Sequence, residues 1–246
     1  MNAPIEVEQL SVSYARGTKR VTAVQDASFT VAEGECVGFI GANGAGKSTT
    51  IKALMGFLFA DQGEARLFGR PAKDPKGRQQ VGYLPEVALY YPYMRARELL
   101  TLYGTLSGLK TADLRQRIPA ALEQVGLGGR EKDLLRTFSK GMQQRLGIAQ
   151  ALIAQPALLI LDEISSGLDP LGRYDLRQLL IKLREEGRTI FFSSHELSEV
   201  ESLCDRVIMI DQGRICKEVT QRELQAIGQQ QSLESFFINT VREETD

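Results

Sequence analysis

Between residues 5 and 14 apolar and polar side chains alternate with one slip, Ile-Glu-Val-Glu-Gln-Leu-Ser-Val-Ser-Tyr, which is the period of a half-buried strand. A second extended run over 27–32 ends at Glu33-Gly34, and the two runs are predicted to pair as an antiparallel entry to the fold. Continuous apolar runs follow at 36–40, 157–161 and 189–192, as in strands covered on both faces of a parallel sheet. Residues 80–84 read as another strand, halted by Pro85. Ile51, Leu54, Met55 and Leu58 recur at helical spacing, and so do Leu176, Leu179, Leu180 and Leu183 in a crossover helix that stops near Gly187. From about 87 to 150 the pattern is helical, with turns at Gly108 and at 126–129. A last strand at 206–210 turns through Asp211-Gln212-Gly213 into 214–218, a hairpin signal, and beyond 220 a short helix and a fraying end are expected. The order predicts an α/β fold with a mainly parallel sheet, an N-terminal antiparallel β region and an inserted helical subdomain.

Composition narrows the partners. A chain of 246 residues buries a large core and suits one α/β domain with an appendage. Its 30 basic and 31 acidic residues leave a net charge of −1, so no global field favours nucleic acid or an anionic membrane. Three cysteines, Cys36, Cys204 and Cys216, form no CxxC pair and no closed disulfide framework, which suits a reducing compartment. The N-terminus lacks the basic and apolar regions of a signal peptide, and no window approaches 18 uninterrupted apolar residues. The chain is therefore not expected to span a membrane by itself, and with this length and no internal repeat one ligand site per chain is the natural count.

That site is announced by Gly41-Ala42-Asn43-Gly44-Ala45-Gly46-Lys47-Ser48-Thr49, which fits GxxxxGK[ST] at every fixed position. Gly41, Gly44 and Gly46 lack a Cβ, so the backbone can curl round an anion and aim successive N–H groups at it. Lys47 adds a full positive charge, and the Ser48 hydroxyl suits the Mg²⁺ that accompanies phosphates. The strand before the loop and the helix behind it complete the context of a P-loop NTPase core, with the helix N-terminus facing the phosphate.

Asp162 and Glu163 follow the buried run 157–161 directly, at the carboxyl edge of a parallel sheet where α/β folds bind ligands. Asp162 is placed to hold Mg²⁺, and Glu163 to polarise a water that attacks the terminal phosphate. His195, the only histidine, follows the run ending at Ser194 and so reaches the same kind of edge, where its imidazole can donate to a γ-phosphate.

Together with Phe138-Ser139-Lys140-Gly141-Met142-Gln143-Gln144-Arg145 and Ser166-Gly167-Leu168-Asp169-Pro170, these pieces resemble the ATP-binding cassette family over about residues 5–220. The resemblance implies that Tyr14 stacks on adenine, that 41–49 is the Walker A loop, and that Glu86 occupies the Q-loop switch beside the metal. It further implies that Asp162 is the Walker B aspartate, Glu163 the catalytic base, Asp169 part of the D-loop and His195 the switch histidine. Ser139, Lys140 and Gly141 would then contact the ATP held by a second copy of the chain. The cassette would occupy 5–222, with its helical subdomain at about 87–150, and 223–246 would form a helical tail.

Two positions depart from the common family pattern. Glu86 stands where glutamine is usual, and the signature reads Phe-Ser-Lys-Gly-Met where Leu-Ser-Gly-Gly-Gln is usual, so Lys140 either adds charge near phosphate or sits in solvent. Both departures resemble the cassettes of exporters. The resemblance implies a cytoplasmic Mg²⁺-dependent ATP hydrolase, held at the inner face of the cell membrane by integral permease subunits and working as a homodimer without nucleic acid. Tyr83, Tyr90, Tyr91, Tyr93 and Tyr103 cluster between 83 and 103, around Glu86, either as a permease groove or as internal packing. The rival readings are a cassette ATPase serving soluble partners and a nucleotide-regulated module without turnover.

Overall fold

The computed structural model describes residues 3–16, 19–195, 200, 203–230 and 232–243. The chain forms two compact units, Met1–Arg78 with Arg184–Asp246, and Gln79–Leu183.

In the first unit β1 (Ile5–Arg16) pairs antiparallel with β2 (Lys19–Val31) and, on its other side, with β4 (Gln62–Leu67), which carries the short β5 (Arg70–Pro71). The slip in the alternation of β1 is a bulge: the register shifts between Val7 and Leu10, and Gln9 adopts φ 47°. Both entry strands outrun the segments expected from sequence, and β4 and β5 were not foreseen. Within β4 only Ala65 and Leu67 are buried, so the strand is set by its register against Ile5 and Val7.

The parallel group of this unit is built on β3 (Cys36–Ile40), flanked by β8 (Thr189–Ser194) and β9 (Arg206–Asp211), with β10 (Arg214–Thr220) antiparallel to β9. Every residue of β3 and β8 is buried, as their unbroken apolar runs require. Phe29 of β2 packs against Phe39 and Phe191, with ring centroids 5.6 and 5.7 Å away, and so joins the antiparallel sheet to the parallel group.

Helix α1 (Lys47–Leu54) follows the loop after β3. It ends a turn earlier than the apolar spacing suggests, because Gly56 turns left-handed at φ 67° and leaves Leu58 beyond the helix. The tail also differs from expectation, forming two helices, α6 (Gln221–Gln230) and α7 (Leu233–Glu243). It packs back on its own unit: Leu224 is buried, and the Lys217 ammonium of β10 lies 5.1 Å from the centre of the Phe236 ring.

The second unit holds a parallel pair, β6 (Val81–Leu84) and β7 (Leu158–Leu161), in register from Val81 with Leu158 to Leu84 with Leu161. The helical stretch resolves into α2 (Ala96–Leu106), α3 (Thr111–Gln124) and α4 (Lys140–Leu152), and α5 (Pro170–Glu185) follows β7. Gly82 and Gly147 permit close packing of α4 on β6: a Cβ at 82 would meet Ala151 O at 2.3 Å, and one at 147 would meet a Leu84 methyl at 2.6 Å.

Candidate functional site

The phosphate loop of the first unit is held from behind by backbone. Gly41 leaves β3 so close to β9 that a Cβ there would lie 2.3 Å from Ile210 O. At the far end Gly46 takes φ 113°, and its Cβ would lie 2.6 Å from Ala23 O of β2. Gly213, in the turn between β9 and β10, donates its N–H to Ala45 O at 2.8 Å and accepts from Gln25 N–H at the same distance. Gly213 is thus a clamp on the loop, a role the sequence did not reveal; its only signal was the Asp211-Gln212-Gly213 turn.

The mouth of the loop suits an anion. The N-terminus of α1 has no side-chain cap and no acid in its first turn, although helix starts ordinarily carry one or both. In place of an acid the first helical residue is Lys47, itself buried, whose ammonium donates to Gly41 O at 2.7 Å and Ala42 O at 3.1 Å. A lysine folded against a glycine loop at a positive helix end suits phosphate. Ser48 and Thr49 are half-buried beside it, and Tyr14 of β1 donates its hydroxyl to Thr49 Oγ1 at 2.8 Å. Tyr14 is therefore tied to the end of the loop. His195 is exposed one residue past β8, where the pairing of Ile40 with Ser194 puts it level with Gly41.

The carboxylates belong to the second unit. Asp162 continues β7, donating its N–H to Leu84 O at 2.9 Å, and the residue is 2% exposed. Burial and the Asp162 charge push the hydroxyl of neighbouring Tyr83 up to about 12. Glu163 is also buried, and its backbone stands at φ 48°, a left-handed conformation that costs a non-glycine residue about 1–2 kcal/mol. Glu86 lies exposed two residues beyond β6, at the strand edge that Asp162 and Glu163 share.

Ser139 caps α4 by accepting the Met142 N–H at 3.3 Å, and Lys140 and Gly141 form the first helical turn. Asp169 caps α5, its Oδ1 accepting from Gly172 N–H at 3.0 Å. The tyrosine cluster divides: burial pushes the Tyr90 hydroxyl up and it faces Gln150 Oε1, whereas Tyr91 and Tyr93 are 75% and 77% exposed. Among the described residues no three His, Cys, Asp or Glu side chains form a metal cluster. Within the second unit Asp162 and Glu86 both offer oxygen at the same strand edge, the hard donor type that Mg²⁺ takes alongside phosphate and water.

Residues 24–166 match the family model described as ABC transporter. This chain belongs to the ABC transporter family. An uncharacterized ABC transporter ATP-binding protein of Synechocystis sp. is 42% identical over 86% of this cassette chain and 61% of its own length. Nod factor export ATP-binding protein I of Paraburkholderia xenovorans is 38% identical over 86% of this chain and 69% of its own. The solved ATP-binding subunit of an ABC transporter superposes with a TM-score of 0.83 at 32% identity, covering 96% of this chain and 99% of that one. The cassette spans about three fifths of the length of the first curated relatives it matches. Among the described residues no helix is long and apolar enough to cross a membrane.

Proposed function

We propose that this chain is the ATP-hydrolysing subunit of an ABC exporter. In this reading the cassette occupies 5–222, with a helical subdomain at about 87–150 and a tail from 223. One observation carries it: a buried lysine and an uncapped helix N-terminus converge on a glycine loop that is clamped from behind, a site built for polyphosphate.

Gly41 to Lys47 cradle the phosphates through backbone N–H groups and the Lys47 ammonium, which exchanges its loop carbonyls for phosphate oxygens. Tyr14 stacks on the base, and Thr49 fixes its hydroxyl. Ser48, Asp162 and Glu86 would hold Mg²⁺, which when bound neutralises the charge of the phosphate oxygens. Glu163 accepts the proton of the attacking water, giving ADP and phosphate, while His195 donates a hydrogen bond to the γ-phosphate. Ser139, Lys140 and Gly141 cap the nucleotide of a second copy, and Asp169 orders the turn that follows Glu163. ATP then joins two copies, and hydrolysis releases them.

The exposed Leu89, Tyr91 and Tyr93 supply an aromatic surface for an integral permease subunit, which would hold the chain at the cytoplasmic face of the membrane. The export assignment is supported by the relative named for Nod factor export and by the Glu86 and Lys140 departures. The test is phosphate release from Mg²⁺-ATP by the purified chain with its permease. Glu163→Gln is expected to bind ATP and dimerise yet turn over at least about 100-fold more slowly; full turnover in that variant refutes the role of Glu163.

A further inference from the structure

Sequence spacing gives the cysteines no pairing, but the fold brings two of them together inside the first unit. Cys36 opens β3 and Cys204 stands two residues before β9, and both are wholly buried. Two hydrogen bonds fix the strand entries against each other: Cys36 N–H donates to Asp205 Oδ2 at 2.9 Å, and Asp205 N–H donates to Cys36 O at 2.8 Å. Asp205 is held in turn by Arg184, and Cys204 by its own N–H, which donates to Val200 O at 3.0 Å. Alternation along β3 puts Cys36 and Gly38 on one face of the strand. The Cys204 sulfur lies on that face, 2.9 Å from where a Cβ on Gly38 would stand, so the bare glycine leaves room for it. There the two thiols meet in a hydrogen bond. Burial, and then the Cys36 thiol beside it, push the Cys204 thiol well above its ordinary value of 9.0. A thiol kept protonated in a closed interior reacts slowly, at the pace of local opening and behind the half-buried Cys216.

We propose that Cys36 and Cys204 form a redox modification site, which hydrogen peroxide converts into a disulfide that staples the amino end of β3 to the approach to β9. In the first step one thiolate attacks a peroxide oxygen, the O–O bond breaks, and a sulfenic acid and hydroxide form. In the second the other sulfur attacks the sulfenic sulfur, the S–O bond breaks and water leaves. The two thiols give up two electrons between them, and one peroxide becomes two waters. The phosphate loop leaves β3 at its other end, five residues and about 16 Å along the strand, so the staple strengthens the frame without entering the loop. The chemistry belongs to the folded chain and does not depend on nucleotide turnover.

The experiment exposes the folded full chain to hydrogen peroxide, caps the remaining thiols with N-ethylmaleimide in urea, and maps the peptides by mass spectrometry. The expected product is a cross-link between the peptides of Cys36 and Cys204 that dithiothreitol reverses, with Cys216 left out of it. The oxidised chain is expected to unfold about 5 °C above the reduced one, because the cross-link closes a long loop of the unfolded chain. In Cys204→Ala the sulfenic acid at Cys36 has no neighbour to resolve it and is expected to pass to sulfinic acid, which dithiothreitol does not recover. Recovery of both wild-type thiols as maleimide adducts, after prolonged exposure that consumes Cys216 completely, overturns the site. So does a cross-link that joins Cys216 instead, or one between Cys36 and Cys204 that forms only in urea. An oxidised chain that unfolds no later than the reduced one overturns the staple.

Discussion

Two glycines of the phosphate loop differ sharply in their surroundings, and Gly44→Ala against Gly46→Ala measures that difference. Gly44 has φ 84° with nothing within 4 Å of its built Cβ, whereas Gly46 has φ 113° with Ala23 O at 2.6 Å and an Ile210 methyl at 3.2 Å. Left-handed backbone costs alanine about 1–2 kcal/mol, and the stiffer unfolded chain returns about 0.4–1 kcal/mol, so Gly44→Ala is expected to lose about 1 kcal/mol. Gly46→Ala bears the same strain plus overlap with a fixed backbone carbonyl, worth a further 1–3 kcal/mol or so, for a total of about 3 kcal/mol. For a chain of this size the midpoints of thermal unfolding without nucleotide should fall by about 3 °C and about 9 °C respectively. Equal midpoints would show that the loop is not pressed against β2, and would remove the argument that Ala23 and Gly213 clamp it.

Arg206→Ala tests a network at the base of the parallel group. Arg206 donates to Glu35 Oε1 at 2.7 Å, pairs with Glu218 and reaches Thr30 O, and the arginine and Glu35 are both largely buried. Burial alone pushes the Glu35 carboxyl up, but Arg206 and the Ala32 N–H outweigh it and hold the group below its ordinary value of 4.5. A lowered carboxylate contributes stability that is present above its unfolded pKa and lost as pH falls through its folded one. The cost of Arg206→Ala, about 2–3 kcal/mol at pH 7, should therefore shrink below about pH 4 in urea titrations; a constant difference would refute the linkage. Changing both Tyr91 and Tyr93 to Ala should abolish co-purification with the permease while leaving the unfolding midpoint within about 1 °C, since both rings are exposed; unchanged co-purification would dismiss that surface.

The parts of the site that were legible in the sequence are those whose chemistry is local. A loop that needs bare glycines, a lysine and a hydroxyl in fixed succession can be read from Gly41 to Thr49, and the unbroken apolar runs of β3, β7 and β8 declare strands covered on both sides. What escaped depends on partners distant in sequence. Gly213 acts on a loop some 170 residues away, and β4 exists because β1 fixes its register. The tyrosine cluster shows the same limit: five tyrosines within a short stretch read alike, yet packing half-buries Tyr90 and leaves Tyr91 out.

The twisted backbone at Glu163 also bears on how such a protein decays. Asparagine or glycine would sit there with less effort than glutamate, and, on the proposed reading of Glu163 as the base, either is expected to slow turnover while sparing the grip on nucleotide. On that reading, drift toward an inert holder of ATP runs downhill in folding energy, and the acid stays in its uncomfortable seat at a cost to the fold.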